Sequence, residues 1–331
     1  MSAITIQDIA ARLNISHVAV SNALRGTGRI GKETRKTVVK MAAEMGYRPN
    51  ASAQAMRSGR LGGVALLLGT VPGRSTLAEM LMCGIHDALA EHNVHLIIAR
   101  LPDEKLTSEG VVPKTLRETM VDGLLVNYTD HIPQEMKRLI SESNFPVVWI
   151  NVDHATDCVR PDDHGAGRDA TSWLIEQGHK QIFYVDYSHS EQGMDEAHYS
   201  ARDRRQGYLD AMEKASLGPR VILRPIGPGR IEQHIISWLS AKDRPTAVLA
   251  YGDKDAEATA FAARAVGLKV PEDLQVVGFS DGPITVAHRS FPTWQVPQEQ
   301  VGWEACRMLM QKIEDPSLTC PAKAVPFVRT T

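Results

Sequence analysis

The sequence predicts an α/β protein, with a small three-helix head followed by a two-lobed core of doubly wound parallel sheets. Three observations lead there. Residues 1–60 carry ten Lys/Arg against three Asp/Glu, a charge of +7, while the other 27 basic and 36 acidic residues leave −9. Residues 5–45 show the 3.6-residue periodicity of short amphipathic helices. From Gly62 onward, short apolar runs alternate with helical stretches: Val64–Leu68, His95–Ala99, Gly123–Val126, Val147–Ile150, Ile182–Val185, Ala247–Ala250 and Val276–Phe279. That alternation is the mark of parallel strands joined by crossover helices. The series runs twice, over 62–160 and 161–290, which implies two lobes with a cleft between them. Ligands of such sheets sit beyond the carboxyl ends of the strands.

The head reads element by element. Thr5 precedes Ile6, Ile9, Ala10 and Leu13, and Thr5-x-x-Asp8 has the spacing of a capping box. Asn14 tolerates a left-handed backbone and can close a tight turn. Ser16 caps a second helix with Val20 and Leu24 facing inward. Gly26-Thr27-Gly28 is a loop. Lys32–Met45 is a third helix with Val38, Met41 and Ala42 on its apolar side and Gly46 as its stop. Tyr47-Arg48-Pro49 ends helical structure. Asn50 can cap a short Ala51–Ser58 helix, too short to be stable without a partner.

Composition excludes several classes. The 331 residues are 43% hydrophobic, enough for two or three domains. No apolar stretch is long enough to span a bilayer. The first residues lack a signal-peptide hydrophobic region, so the chain is expected in the cytoplasm, associated with the nucleoid. Cys83, Cys158, Cys306 and Cys320 lie far apart and are expected as reduced thiols. No metal-ligand cluster or dinucleotide fingerprint occurs, so no cofactor is expected.

Two helices with a tight turn, on a basic segment, form a helix-turn-helix. The N-terminal part of its second helix enters the major groove. His17, Val18 and Asn22 project from one side of that helix. Asn can bond adenine bidentately, His can bond guanine, and Val can touch a thymine methyl.

The local match is more specific still. Asp8-Ile9-Ala10, Val20-Ser21, Leu24, Gly26, Glu33-Thr34-Arg35, Glu44-x-Gly46-Tyr47-Arg48-Pro49-Asn50-Ala51 and Met56-Arg57 resemble the head of the lactose-repressor (LacI) family. The resemblance continues through Val121-Asp122-Gly123, Gly178-His179-x-x-Ile182, Arg204-x-x-Gly207, Pro245-Thr246-Ala247, Val270–Leu274 and Val276–Phe279. It implies a repressor-type regulator: a homodimer on pseudo-palindromic double-stranded operator DNA, released or recruited by a small sugar or sugar-acid-like effector. It implies a head at 1–49, a hinge helix and linker at 50–60, and a periplasmic-binding-protein-like core at 61–331. The expected lobes are 61–160 with 291–320, and 161–290 with 321–331. By resemblance His17, Val18 and Asn22 read bases, and Thr5, Ser16, Ser21, Thr34 and Tyr47 contact the DNA backbone. Met56 stands where the family wedges a leucine into the minor groove. The family often has hydroxyl side chains where this chain has Ala19 and Gly31, so two phosphate contacts are expected to be missing, with Arg25 or Lys32 as candidate substitutes. Arg is common in relatives at position 22, so Asn22 points to a shifted operator preference.

The same resemblance assigns effector-binding residues. Arg204 matches the arginine that grips hydroxyls or carboxylates, a role suited to its forked, permanently charged donors. Asn127 follows a strand end, and Asp163 lies in the acidic turn at the lobe crossing, where a helix cap is the other reading. Asp253 and Ser280 stand where the family commonly has polar groups, in the altered contexts Gly252-Asp253 and Ser280-Asp281. Val71–Ser75 replaces a common family stretch, and two readings of Arg74 stand: it lines the pocket, which suits an acidic or atypical ligand, or it points to solvent. An enzyme is the rival reading, since Gly278-Phe279-Ser280-Asp281-Gly282 fits G-x-S-x-G. The hydrolase elbow needs an acid and then a histidine later in the chain. Only His288 follows Ser280, and only Asp281 intervenes. A transport-type binding protein would need a signal peptide and no basic head.

Overall fold

The computed structural model describes residues 4–49, 59–71, 75–101, 118, 120–129, 132–142, 145–195, 197–225, 231–282, 284–286 and 289–330. The chain divides into two compact units, Met1–Leu61 and Gly62–Thr331. The expected hinge helix with Asn50 and Met56, and Arg74 of the core, lie outside the described residues.

The first unit holds α1 (Ile6–Leu13), α2 (His17–Arg25) and α3 (Lys32–Glu44). Thr5 and Asp8 form the capping box: Asp8 N–H donates to Thr5 Oγ1 at 3.3 Å and Thr5 N–H donates back to Asp8 Oδ2 at 2.8 Å. Asn14 takes the left-handed conformation (φ 50°, ψ 47°) that ends α1. Ser16 Oγ accepts from Ala19 N–H at 3.1 Å and starts α2. Ile9, Ala10, Val20, Ala23, Val38 and Ala42 form the core of the bundle. Ala23 is buried, whereas Leu24, expected inward, only flanks that core.

The second unit begins with β1 (Gly63–Gly69), α4 (Glu79–Glu91), β2 (His95–Leu101), β3 (Gly123–Val126), α5 (Gln134–Glu142), β4 (Val147–Ile150) and β5 (Cys158–Pro161). Then follow α6 (Asp163–Glu176), β6 (Ile182–Asp186), α7 (Tyr199–Lys214), β7 (Arg220–Leu223), α8 (Ile231–Leu239), β8 (Ala247–Ala250), α9 (Asp253–Ala265) and β9 (Gln275–Ser280). A hairpin of β10 (Ile284–Val286) and β11 (Arg289–Phe291) leads to β12 (Thr293–Gln295), α10 (Gln298–Glu314), β13 (Lys323–Val325) and β14 (Val328–Thr330).

Apart from the two-stranded β10-β11 hairpin, the described strands make two six-stranded sheets, in the orders β13-β5-β4-β3-β1-β2 and β14-β12-β9-β8-β6-β7. Pairing is parallel except where β14 runs antiparallel to β12. Each central strand is buried on both faces, as helix-covered parallel sheets require. The topology corrects the expected lobe limits. β12 pairs with β9, so residues 291–295 stay with the second lobe, and β13 pairs with β5, so residues 323–325 return to the first. The three crossings between lobes lie at Pro161–Asp163, Gln295–Gln298 and Val325–Val328, and each contains a proline: Pro161, Pro297 and Pro326. The last described strand, β14, is Val328–Thr330.

Glycines set the helix spacing in both lobes. A Cβ on Gly84 of α4 would overlap the Glu299 carbonyl oxygen, and one on Gly302 of α10 would overlap that of Leu81. In the second lobe a Cβ on Gly167 of α6 would overlap the Arg204 carbonyl oxygen. One on Gly207 of α7 would overlap that of His164 and stand 2.6 Å from Arg168 N. Each pair of helices therefore meets main chain to main chain. Cys83 is exposed, while Cys158, Cys306 and Cys320 are buried, and all four are free thiols.

Candidate nucleic-acid interface and ligand cleft

In the head, α2 turns about 100° per residue. Val20 and Ala23 point into the bundle, so Val18, Ser21, Asn22 and Arg25 share the opposite side. Val18 is 54% exposed. His17 is exposed at the start of the helix, and Asn22 and Ser21 are half-buried. Arg25 Nε donates to Ser21 O and Arg25 Nη2 to Asn22 Oδ1, both at 3.3 Å. Thr34 is exposed, and Tyr47 packs against the edge of the bundle core. The backbone-contact residues differ in what they can still donate. Ser16 uses only an acceptor lone pair in its cap and keeps its O–H. Thr5 gives both N–H and O–H to Asp8 Oδ2, at 2.8 and 2.7 Å, so it has no donor left for a phosphate.

In the core, a cleft of about 640 Å³ opens at the carboxyl ends of the strands. Arg204, Asp163, Asp253 and Ser280 line it. Arg204 is almost buried. Its Nε donates to Asp163 Oδ1 at 2.7 Å and its Nη1 to the Tyr251 carbonyl at 2.7 Å. The rings of Phe279, Tyr251 and Phe327 stand 4.7, 5.0 and 5.6 Å from its guanidinium carbon. Three aromatic faces, a carboxylate and a carbonyl thus fix the guanidinium, leaving Nη2 as its free corner at the cleft.

The neighbouring Asp162 and Asp163 divide two jobs. Asp162 caps α6, accepting from Gly165 N–H at 3.0 Å. Asp163, 1% exposed, turns inward to Arg204. Asn127 is corrected. It is fully buried and absent from the cleft wall, and its Nδ2 donates to the Thr76 carbonyl at 2.8 Å. It therefore fixes the Thr76 segment, which does line the cleft. Asp253 is exposed at the start of α9, where its Oδ1 accepts from Lys254 N–H at 2.8 Å.

Residues that the sequence did not single out complete the wall. His198 Nε2 donates to the Asn151 carbonyl at 2.9 Å, joining the lobes, because a carbonyl can only accept. Its Nδ1 receives the Ser200 hydroxyl at 2.8 Å and the Ser200 N–H at 3.4 Å. With its hydrogen so used, Ser200 Oγ accepts from Tyr251 OH at 3.0 Å. The result is a one-directional chain, Tyr251 to Ser200 to His198 to Asn151. Gln298 Nε2 donates to Asp281 Oδ1 at 2.9 Å, and Arg160 pairs with Asp203 at 3.1 Å, each joining the two lobes.

The wall also holds a titratable pair, with His189 lining the cleft. The fully buried Asp186 holds His189 Nδ1 at 2.8 Å, which raises the histidine above its ordinary range. Burial pushes the Asp255 carboxyl up to about 6, despite the hydrogen bond from Tyr187 N–H at 2.9 Å, and the charge of Asp186 adds to the rise.

A helix-turn-helix head and a two-lobed core with a polar cleft define a ligand-responsive DNA-binding regulator of transcription. The comparisons agree. Residues 5–50 match the family of bacterial regulatory proteins known as the lacI family, and residues 171–327 match the periplasmic binding protein-like domain. Residues 5–50 thus carry the lacI-family domain, and the chain as a whole is similar to regulators of that family. Catabolite control protein A of Staphylococcus aureus (strain Mu50 / ATCC 700699) is 26% identical over 329 residues, covering 96% of each chain. The HTH-type transcriptional repressor PurR of Serratia proteamaculans (strain 568) is 28% identical over 319 residues, covering 93% of this chain and 90% of its own. Among solved structures, the lac repressor dimer bound to operator and the anti-inducer ONPF superposes with a TM-score of 0.74 at 18% identity. It covers 100% of this chain and 98% of its own. The family is one of regulators, not enzymes, so the G-x-S-x-G match at Ser280 is a cleft wall and not a nucleophile elbow.

Proposed function

We propose that the protein is a homodimeric repressor whose affinity for a pseudo-palindromic operator is set by a small, hydroxyl-rich effector, a sugar or sugar acid, held in the core cleft. The observation that carries this reading is Arg204. Its guanidinium is fixed on every side but one, and the free corner meets a wall of neutral and acidic hydrogen-bonding groups: Ser200, Ser280, Tyr251, His198 and Asp253. Such a wall suits a ligand that both donates and accepts. The solved lac repressor and a CelR–cellobiose complex (TM-score 0.62, 22% identity) show what relatives of this fold hold. Dimer formation is supported by the apolar side chains that the first lobe leaves exposed on and beside α4 and β2: Leu77, Met80, Ile97 and Ile98. Two-fold symmetry then calls for two half-sites, and a chromosomal operator implies a cytoplasmic, nucleoid-associated protein. The assigned contacts are His17, Val18 and Asn22 on bases, Ser16, Ser21, Thr34 and Tyr47 on phosphates, and Met56 as the wedge.

The test is a duplex mobility shift with the native upstream region, with and without a panel of sugars and sugar acids. One ligand class should change operator affinity at least about tenfold in the intact protein. Arg204→Ala should bind operator normally and lose that response. An Arg204→Ala protein that responds fully at unchanged ligand concentration removes Arg204 from the site.

A further inference from the structure

The base preference of the head follows from how Asn22 is held. Arg25 Nη2 lies 3.3 Å from the oxygen of the Asn22 amide. A guanidinium only donates, so the amide edge it meets is the oxygen whichever way the amide was first drawn. Arg25 Nε is anchored one turn back on the Ser21 carbonyl at 3.3 Å. On the other edge stands Gly28, at φ +73°, where any Cβ would come within 3.0 Å of Asn22 Nδ2 and 3.2 Å of Cγ. The amide is therefore set between a cation on its oxygen and a main-chain turn beside its nitrogen. Its exposed neighbours on the same side of α2 are Val18 and Arg25 itself.

We infer that Asn22 and Arg25 act as one composite reader that selects guanine, in place of the adenine that a free asparagine would select. This inference rests on the head being the DNA-reading element. An asparagine recognises adenine by donating to N7 and accepting from N6–H, and that needs its oxygen. Here the oxygen is engaged, and the pair presents Nδ2–H and guanidinium N–H groups, donors only. Guanine offers two major-groove acceptors, N7 and O6, and satisfies both. The remaining lone pair of Asn22 Oδ1 does not rescue adenine, because the cationic guanidinium would then stand beside the N6–H donors. Arg25 also changes role: it is a specificity-determining residue rather than a substitute phosphate contact.

The experiment is selection of bound duplexes from a randomised pool by the full-length protein, its Asn22→Ala variant and its Arg25→Ala variant. The position at which Asn22→Ala loses preference is the one that Asn22 reads. The wild-type protein should enrich guanine there by about tenfold over adenine, the scale of one good bidentate contact. Arg25→Ala should release the amide oxygen and turn the preference to adenine at that same position. Replacing that guanine with 7-deazaguanine should weaken wild-type binding several-fold and leave Arg25→Ala nearly unaffected. Enrichment of adenine by the wild type, or an Arg25→Ala variant that keeps guanine undiminished, overturns the composite reader while leaving the head as the DNA-reading element. Failure of the wild type to enrich any sequence overturns that element, and the composite reader with it.

Discussion

Replacing Gly207 by alanine tests how Arg204 is positioned. Gly207 of α7 faces α6 main chain to main chain, and its new methyl would overlap the His164 carbonyl and lie 2.6 Å from Arg168 N. Neither obstacle is a side chain that can rotate away. Carbon contacts relax only near 3.5 Å, so α6 and α7 must part by about 1 Å. Asp163 sits on α6 and Arg204 on α7, and their 2.7 Å bond would then stretch beyond hydrogen-bonding range. Overpacking of this kind costs about 1–3 kcal/mol, and loosening a buried charge pair adds to it. We expect a loss of about 3 kcal/mol, which for a unit of this size lowers the melting temperature by roughly 6–12 °C. Thermal melts of the full-length protein measure it. Gly218→Ala is the control, since a Cβ there meets nothing within 4 Å, and it should melt with the wild type. A Gly207→Ala protein that melts within about 2 °C of the wild type refutes the argument that this crossing is rigid.

Asp163→Asn and Arg204→Met should each destabilise the core by about 3 kcal/mol in urea unfolding, because each leaves a buried partner unmatched. Together they should lose much less than the sum, and strictly additive losses would show that the two groups are not coupled. Asp255 has its folded pKa raised from 3.8 to about 6, so the folded state holds its proton more tightly and stability falls as pH rises through that window. Asp255→Asn should remove a fall of about 2–3 kcal/mol between pH 4 and pH 7, and equal pH slopes for the two proteins would contradict it. Ser16→Ala should cost the head about 1 kcal/mol through its lost cap, read from the first transition in a thermal melt, and an unchanged transition would count against the cap.

The head was legible because its signals are local. Thr5 and Asp8, Asn14 and Ser16 act on backbone within a few residues, and the structure uses each as its chemistry suggests. Long central strands were legible from apolar runs, while β5, with Arg160 and Pro161 in four residues, gives no run to read. The lobe membership of residues 291–295 and 323–325 was not legible because a three-residue strand carries no record of which sheet it joins. The cleft was half legible. Arg204 stands in a recognisable motif, but Asn151, His198, Ser200 and Tyr251 come together from segments far apart in the chain, and singly each looks like an ordinary loop polar residue. Asn127 misled because a strand end with a polar residue supports a ligand and a neighbouring loop equally well.

The prolines at all three lobe crossings bear on how the core can move. A single crossing would leave the lobes a swivel with several free torsions. Three crossings side by side must turn together, and a proline in each removes one torsion from each, since its ring holds φ near −65°. What remains is fewer free torsions than three unrestrained strands would have, and they must change in concert, so the joint is stiffer than a single swivel. In such a joint the balance between settings is decided by the small number of bonds that span the gap, among them His198 to Asn151, Arg160 to Asp203 and Gln298 to Asp281. A ligand has only to compete with those few bonds, which are worth about 1 kcal/mol each when neutral and somewhat more when charged. A molecule of sugar size can therefore set the angle of the whole core.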